Sequence, residues 1–137
     1  MTSSEKNNDY HYVSKGWGYE KWIVNKEEYC GKLLFFWSGK RCSYHYHKLK
    51  DETFYVQSGK IELEWSDDPS LDEPRDRTQD IYWHKYPERK TVLLIKGDSF
   101  HIPAGRRHQM TALEDTELFE FSTEHFDEDS FRLQKGD

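Results

Sequence analysis

The chain has 137 residues, which suits one domain that buries about two-thirds of the surface of its unfolded chain. Charged residues make up 34% of it, but 16% are aromatic, and this aromatic content argues against a disordered chain. The formal net charge of −6 and the lack of a Lys/Arg-rich tract argue against a nucleic-acid or anionic-membrane partner.

The N-terminal segment "MTSSEKNNDY" lacks the apolar core of a signal peptide, and no apolar run approaches the length of a membrane span. We therefore expect a cytoplasmic protein. Residues 1–14 are polar and show no periodicity, so we predict a flexible arm followed by one domain over residues 15–137. Cys30 and Cys42 lie in strand-like segments, where free buried thiols are expected in a reducing compartment.

From Trp17 onward, short aromatic and β-branched segments alternate with Gly, Pro and Asp, a pattern typical of strands. In chain order these segments are KWIVN, KLLFFWSG, RCSYHYHK, ETFYVQSG, KIELEW, TVLLIKGDSFHIPAG, HQMTAL and TELFEFST. Residues 66–90 are rich in charge and are predicted to form a long loop, in which "DIYWHKY" suits either a strand or a lid. The tail "DEDSFRLQKGD" suits a short helical turn. Many short strands without a long amphipathic helix predict an all-β sandwich or barrel.

The segment "SYHYHKLKDE" holds the strongest chemical signal. His45 and His47 are two residues apart, and residues at that spacing on a strand point to the same face. Two imidazoles on one face can chelate one metal ion. Glu52 begins the next predicted strand, within reach of the same point.

The spacing around this pair resembles the first sequence motif of the cupin superfamily. Gly39 is followed after five residues by His45 and His47, then after four residues by Glu52, and after six by Gly59. The cupin motif has the same order: glycine, His-x-His, glutamate, glycine. The first motif thus spans residues 39–59.

A second segment resembles the second cupin motif. Gly97 is followed after five residues by Pro103, then by Gly105 and His108. The sequence departs from the motif only at its end, where Ala112 replaces an asparagine that is not a usual metal ligand. The second motif thus spans residues 97–112.

The resemblance implies a single-domain cupin jelly-roll β-barrel with one metal ion held by His45, His47, Glu52 and His108. Three imidazoles and a carboxylate suit a divalent transition metal, whether Mn, Fe, Zn, Ni, Co or Cu. Four protein ligands leave open positions on a six-coordinate metal, which favours a catalytic over a structural site.

Flanking segments resemble the phosphomannose isomerase and D-lyxose isomerase branch of cupins. "WGYE" is similar to the WG-x-E of bifunctional phosphomannose isomerases, although Gly16 replaces a proline, and "LFEFST" is similar to their closing strand. The resemblance to D-lyxose isomerase implies that Lys32 lies in the pocket, where it would stabilise an enediolate oxygen. Such isomerases need a base, and Glu120, opposite two phenylalanines in "LFEFST", is the candidate, with a pKa raised by apolar surroundings. Arg106 and Arg107 are candidates for binding a substrate phosphate or carboxylate, and Arg132 is a weaker one.

Three functions remain open. The chain is expected to be a metal-dependent isomerase or epimerase of a sugar or sugar phosphate, because the ligand set leaves room to chelate adjacent oxygens. The same ligands serve cupin dioxygenases, and they also occur in cupins that bind metal or sugar without turnover. Small cupins tend to pair, so we expect a homodimer that uses an edge strand near Trp22 and Phe35.

Overall fold

The computed structural model describes residues 6–73 and 89–137, and eleven strands in these ranges form two antiparallel sheets. The strands are β1 His11–Lys15, β2 Gly18–Asn25, β3 Cys30–Phe36, β4 Tyr44–Tyr46, β5 Glu52–Ser58, β6 Lys60–Ser66, β7 Lys90–Ile95, β8 Ser99–Ile102, β9 Arg107–Ala112, β10 Thr116–Ser122 and β11 Phe131–Gln134. One sheet has the order β1-β2-β3-β10-β5-β8 and the other the order β11-β4-β9-β6-β7. This arrangement confirms the predicted all-β jelly roll.

The six-stranded sheet buries one face of its strands against the other sheet. On β3 every second residue is buried, beginning with Cys30 and Lys32 and ending with Phe36. Neighbouring strands contribute Leu118 and Phe54 to the same face, and the Phe36 ring stacks on another aromatic ring at 4.1 Å. The period of two therefore decides which side chains of this sheet can reach the interior.

Two glycines of the cupin-like motifs occupy backbone positions that other residues rarely adopt. Gly59, between β5 and β6, has a φ of +93°, and a Cβ there would collide with the backbone oxygen of Asp115. Gly105, between β8 and β9, has a φ of +89°, and its N–H donates to the carbonyl of His47 at 2.7 Å. The second motif's turn is thus bonded directly to the first motif's histidine pair.

The predicted N-terminal arm is too long. Residues 11–14 belong to β1, which pairs with β2 from His11 against Trp22 to Lys15 against Gly18. Within the predicted loop 66–90, a 3₁₀ turn covers Pro69–Leu71, and Lys90 already belongs to β7. The segment "DIYWHKY" lies outside the described residues.

The predicted helical turn of the tail is confirmed only as a short 3₁₀ turn, Asp127–Asp129, which is followed by strand β11. Both cysteines are free and buried, as expected. Within residues 6–73 and 89–137, no helix has the length and apolar character needed to span a membrane.

Candidate metal centre

The three histidines of the two motifs meet on the five-stranded sheet. His45 on β4 lies directly opposite His108 on β9, and His47 follows the end of β4. One ring nitrogen from each histidine lies within 4.8 Å of the others. Glu52 is the first residue of β5 in the opposite sheet, and its Oε2 lies 3.3 Å from His47 Nε2. The structure thus brings together all four residues that the motifs predicted.

Backbone carbonyls fix the orientation of each imidazole. The Nδ1 atoms lie close to main-chain oxygens: His45 to Ser43 at 2.8 Å, His47 to Asp129 at 3.0 Å and His108 to Arg106 at 3.1 Å. A carbonyl can only accept, so Nδ1 carries the proton in each ring and Nε2 keeps its lone pair. This is the tautomer that metal-binding histidines adopt when their second nitrogen is held by the protein.

The charges at this site also suit a metal ion. Desolvation lowers the pKa of the imidazoles, to about 3 for both His47 and His108, so the rings are neutral, as ligands must be. Burial raises the pKa of Glu52, and the charge of Glu120 raises it further. Among residues 6–73 and 89–137, Glu52 Oε2 and His108 Nε2 are buried and find no hydrogen-bond partner, a costly arrangement that a cation would relieve. His45, His47 and His108, with Glu52 beside them, form a site for one divalent metal ion.

Asp129 organises the loop that carries two of these ligands. Its buried carboxylate accepts hydrogen bonds from the backbone N–H groups of Lys48, Leu49 and Lys50 at 2.8–3.2 Å. Its main-chain oxygen is the acceptor for His47 Nδ1. One residue therefore fixes both the loop backbone and the ring of a ligand.

A cavity of about 780 Å³ lies beside the histidines and holds a buried ion pair. Glu120 points into this cavity from β10, and its Oε2 accepts a hydrogen bond from Lys50 Nζ at 2.9 Å. Burial alone would raise the pKa of Glu120, but the charges of Lys50 and Lys32 outweigh it, so the pKa is lowered. The predicted raised pKa is therefore wrong, because the sequence did not reveal that Lys50 is buried against this carboxylate.

Lys32 occupies the wall of the same cavity, where the resemblance to D-lyxose isomerase placed it. It is 2% exposed and lies directly opposite Glu120 across the β3–β10 pair. Its Nζ lies 3.6 Å from Glu20 Oε1 and 4.1 Å from the ring centroid of Trp22. The cavity therefore carries alternating positive and negative groups next to the metal site.

His125 also lines this cavity, although its sequence position gave no reason to select it. Its Nε2 lies 2.9 Å from Asp127 Oδ1, and its Nδ1 is buried without a hydrogen-bond partner among the described residues. Burial lowers the pKa of His125, with the charges of Lys50 and Lys32 adding to the effect. The ring is therefore neutral at neutral pH.

Arg106 and Arg107 do not line the cavity, so the structure does not support their predicted contact with substrate. Arg106 forms two hydrogen bonds to Asp67, and Arg107 forms two to Asp72. Both guanidinium groups already have a carboxylate partner. Arg132, the weaker candidate in the sequence, is the arginine that lines the cavity, at an exposed position on β11.

Sequence reasoning missed Lys50, His125 and Asp129. Lys50 lies between two ligands in "HKLKDE", where a lysine reads as a solvated loop residue. His125 and Asp129 lie in or beside the turn after β10, where no periodicity indicates which way a side chain points. The only available signal was the closeness of His125 to Asp127, two residues apart.

No protein-family model and no curated protein matches this chain. Solved structures do. The capsular polysaccharide assembling protein CapF from Staphylococcus aureus matches with a TM-score of 0.71 and 18% identity, over 98% of this chain and 34% of CapF. Oxalate decarboxylase from Bacillus subtilis matches with a TM-score of 0.70 and 19% identity, over 91% of this chain and 30% of the enzyme.

A third structure, KdgF from Halomonas sp., matches with a TM-score of 0.62 and 20% identity, over 93% of this chain and 94% of KdgF. This chain therefore has the length of KdgF but spans only about a third of CapF or of oxalate decarboxylase. At these identities the comparisons establish the fold. Together with the two antiparallel sheets, they show that this chain has the jelly-roll fold of these cupin structures.

Proposed function

We propose that this protein is a metal-dependent isomerase or epimerase of a sugar or sugar phosphate. The observation that carries the proposal is a buried carboxylate, paired with one buried lysine and opposite a second, in the cavity beside the metal site. The side chains of Glu120, Lys32 and Lys50 are each at most 5% exposed. A cavity that only stored a metal or excluded water would not need three such groups, because burying charges is costly.

The metal, when bound, would polarise a carbonyl and hold adjacent substrate oxygens. Isomerisation then requires a proton to move between neighbouring carbons through an enediol. Glu120 is unprotonated at neutral pH because its pKa is lowered, so it is ready to accept that proton, although it is a weaker base than a carboxylate with a raised pKa. The ammonium groups of Lys50 and Lys32 would stabilise negative charge on an enediolate oxygen.

The charged cavity favours this function over a dioxygenase or a binding protein. Oxygen chemistry depends on open metal positions and a substrate contact, and gives no role to a Lys–Glu pair. A carbohydrate-binding site without turnover can use a carboxylate as a hydrogen-bond acceptor for hydroxyl groups, but it does not need buried lysines that hold this carboxylate ionised.

The structural neighbours agree with a metal-dependent enzyme but differ in substrate. One oxalate decarboxylase structure is described by its Mn(II) centres, and CapF is described as a capsular polysaccharide assembling protein. These descriptions make Mn²⁺ a sensible first metal and saccharides a sensible first substrate class. They do not decide between isomerisation and epimerisation.

The test is solvent exchange at carbon. The Mn²⁺-loaded protein is incubated in deuterated water with pentoses, hexoses and their phosphates, and deuterium next to the carbonyl is followed by NMR and mass spectrometry. Glu120→Gln should lower exchange by about 100-fold or more while metal content stays unchanged. Glu117→Gln, on the outward side of β10, is the matched control and should exchange like the wild type.

Two outcomes would redirect the proposal. Loss of both exchange and metal in Glu120→Gln would make Glu120 a structural residue. No exchange with any sugar, together with oxygen uptake on another substrate, would favour the dioxygenase.

We also propose a homodimer, but its interface differs from the edge strand near Trp22 and Phe35 that the sequence suggested. Trp22 lines the cavity and Phe35 lies on the outer side of β3, so the two do not form one edge. The outer face of β1–β3 instead carries four aromatic rings, which we call the outer aromatic face. It consists of Tyr12, Tyr19, Phe35 and Trp37, with neighbouring ring centroids 6.2, 5.3 and 4.7 Å apart. A second copy of the chain would cover it.

A further inference from the structure

His125 is held in place more firmly than its position in a loop would suggest. Its backbone N–H donates to Asn25 Oδ1 at 2.8 Å, and its carbonyl accepts from Asn25 Nδ2 at 3.0 Å. Its ring lies edge-on to Trp22, with centroids 5.2 Å apart, and Asp127 holds Nε2. Main chain and ring are thus both fixed, although residues 123–126 belong to no strand.

The partners of the ring decide which nitrogen carries the proton. A carboxylate can only accept, so Nε2 donates to Asp127 and Nδ1 keeps a lone pair. The His125 side chain is 9% exposed, and Nδ1 is buried without a hydrogen-bond partner among the described residues. An unpaired polar atom in such a site is costly unless something else satisfies it.

The position of His125 puts it within the reach of a ligand held by the metal. Its ring centroid lies 6.4 Å from that of His47, and both residues line the same cavity. Both histidines therefore border the space that a molecule bound at the metal site would occupy.

We propose that His125 is a ligand-binding residue whose Nδ1 accepts a hydrogen bond from a hydroxyl group of the molecule in this cavity. Nδ1 can only accept, so the partner must be a donor. A phosphate or carboxylate lacks the necessary proton at neutral pH and would be repelled. The inference rests on the proposed function, which gives the class of molecule as polyhydroxylated. It adds the orientation of this molecule: a hydroxyl group, and not a phosphate or carboxylate, faces His125.

The first experiment measures the tautomer. The Zn²⁺-loaded protein, chosen because it is diamagnetic, is labelled with ¹⁵N, and the two ring nitrogens of His125 are observed by long-range ¹H–¹⁵N NMR. We expect a protonated Nε2 and an unprotonated Nδ1. A protonated Nδ1 would overturn the inference, because Nδ1 would then be a donor. In Asp127→Asn the side-chain amide can itself donate to Nε2, so the Nδ1–H form should become populated.

The second experiment measures binding. D-Mannose, D-fructose, D-lyxose, D-xylulose and their phosphates are titrated into the Zn²⁺-loaded protein while the His125 Nδ1 resonance and the heat of binding are recorded. For every sugar that binds, the Nδ1 resonance should move. His125→Phe should weaken binding about five- to tenfold, the size of one net hydrogen bond. His125→Asn places an acceptor near the position of Nδ1 and should recover part of the loss.

The control and the possible outcomes distinguish a failure of the His125 inference from a failure of the proposed function. His101→Phe changes an exposed histidine of β8 that is paired with Asp51, and it should bind like the wild type. Binding to the wild type with an unmoved Nδ1 resonance and an unchanged affinity in His125→Phe would overturn the His125 inference alone. No binding of any sugar to the Zn²⁺-loaded wild type would overturn both. If His125→Phe loses zinc or folds poorly, Asp127→Asn, which keeps the ring, decides by the same affinity measurement.

Discussion

Lys50 Nζ donates a hydrogen bond to Glu120 Oε2 at 2.9 Å, and both side chains are buried, at 3% and 5% exposure. Lys50 belongs to the loop between His47 and Glu52, whereas Glu120 lies in the middle of the six-stranded sheet. The ion pair therefore ties the loop between two metal ligands to the sheet that forms the cavity wall. It also keeps Glu120 charged in a place where burial alone would protonate it.

Removing one partner of this pair should be strongly destabilising. Lys50→Met leaves the buried Glu120 carboxylate without its charged partner and with only the Ser122 hydroxyl as a described donor, so we expect the free energy of unfolding to fall by about 3–5 kcal/mol. Urea unfolding of the metal-free protein measures the change. Lys48→Met, two positions earlier and exposed, is the matched control and should stay within about 0.5 kcal/mol of the wild type. A Lys50→Met protein as stable as the control would contradict the pair's role.

The same pair predicts a pH dependence of stability. The folded-state pKa of Glu120 is lowered from its usual 4.5, so its contribution is present above about pH 4.5 and is lost as the pH falls toward the folded pKa. The pKa of Lys50 is raised from 10.5, so its contribution is present below about pH 10.5 and is lost above it. Relative to the double variant Lys50→Met, Glu120→Gln, the wild type should lose stability below pH 4.5 and change little from pH 6 to 9. A constant difference down to pH 3 would show that Glu120 is not held charged.

The metal ligands could be predicted from sequence because their spacing is tied to strands and turns that the fold requires. His45 lies on β4 and His47 directly follows its end, two residues further on, and Gly59 and Gly105 need the left-handed backbone that their turns adopt. Lys32 was selected through the resemblance to D-lyxose isomerase, and in the structure it shares the inward period of β3 with Leu34. For each of these residues, the strand or turn that holds it fixes the side-chain direction or the backbone conformation.

The rest of the site could not be predicted because its residues lie where the sequence fixes no direction. Lys50 and His125 are in connections between strands, and only their partners turn them inward. The opposite error arose for Arg106, which lies near His108 in the chain but pairs with Asp67 outside the cavity. Its closeness to His108 in the sequence suggested that Arg106 lies near the metal, but it did not show whether the side chain points into the cavity or away from it.

The metal site predicts one divalent ion per chain. Elemental analysis of protein purified without chelator should give one equivalent for the wild type and close to none for the double variant His47→Ala, His108→Ala. Glu52→Ala and His45→Ala should each lower the metal content sharply. His101→Ala, which removes an exposed histidine, is the control and should keep full content. Full occupancy in the double variant would reject the assignment.

Metal removal should also lower thermal stability. A ligand that binds only the folded state stabilises it by about 2.7 kcal/mol at a concentration of 100 times its dissociation constant. The midpoint of thermal unfolding should therefore fall when chelator is added and recover with Mn²⁺ or Zn²⁺. The double variant should show no response to either, whereas an unresponsive wild type would mean that the folded protein gains nothing from the ion.

The outer aromatic face predicts self-association at micromolar concentration. Tyr12 is 57% exposed and Trp37 is 54% exposed, which leaves large apolar rings in water unless a partner covers them. Sedimentation velocity should therefore detect a dimer, and Trp37→Arg should shift it to monomer without loss of metal. Leu49→Arg, an exposed apolar residue in the β4–β5 loop, is the control and should remain dimeric. A wild-type monomer would reject this surface as a dimer interface.

Asp129 should be needed for both stability and metal affinity. Its carboxylate accepts from three successive backbone N–H groups, and its carbonyl holds the Nδ1 of His47. Asp129→Ala leaves those buried N–H groups without an acceptor, so the free energy of unfolding should fall by about 2–4 kcal/mol. Because the loop then no longer fixes His47 and Glu52, metal affinity should fall by about 10- to 100-fold, as it does when residues that orient ligands are removed.

Asp129→Asn separates the two effects. The amide keeps one acceptor oxygen and leaves the backbone carbonyl in place, so it should lose less stability than Asp129→Ala and keep most of the metal affinity. Glu128→Ala, one position earlier and exposed, is the control for both measurements, which are urea unfolding without metal and competitive titration with a zinc chelator. If Asp129→Ala loses stability but binds zinc as tightly as the control, the loop is not what positions His47, and the ring must be oriented by the metal itself.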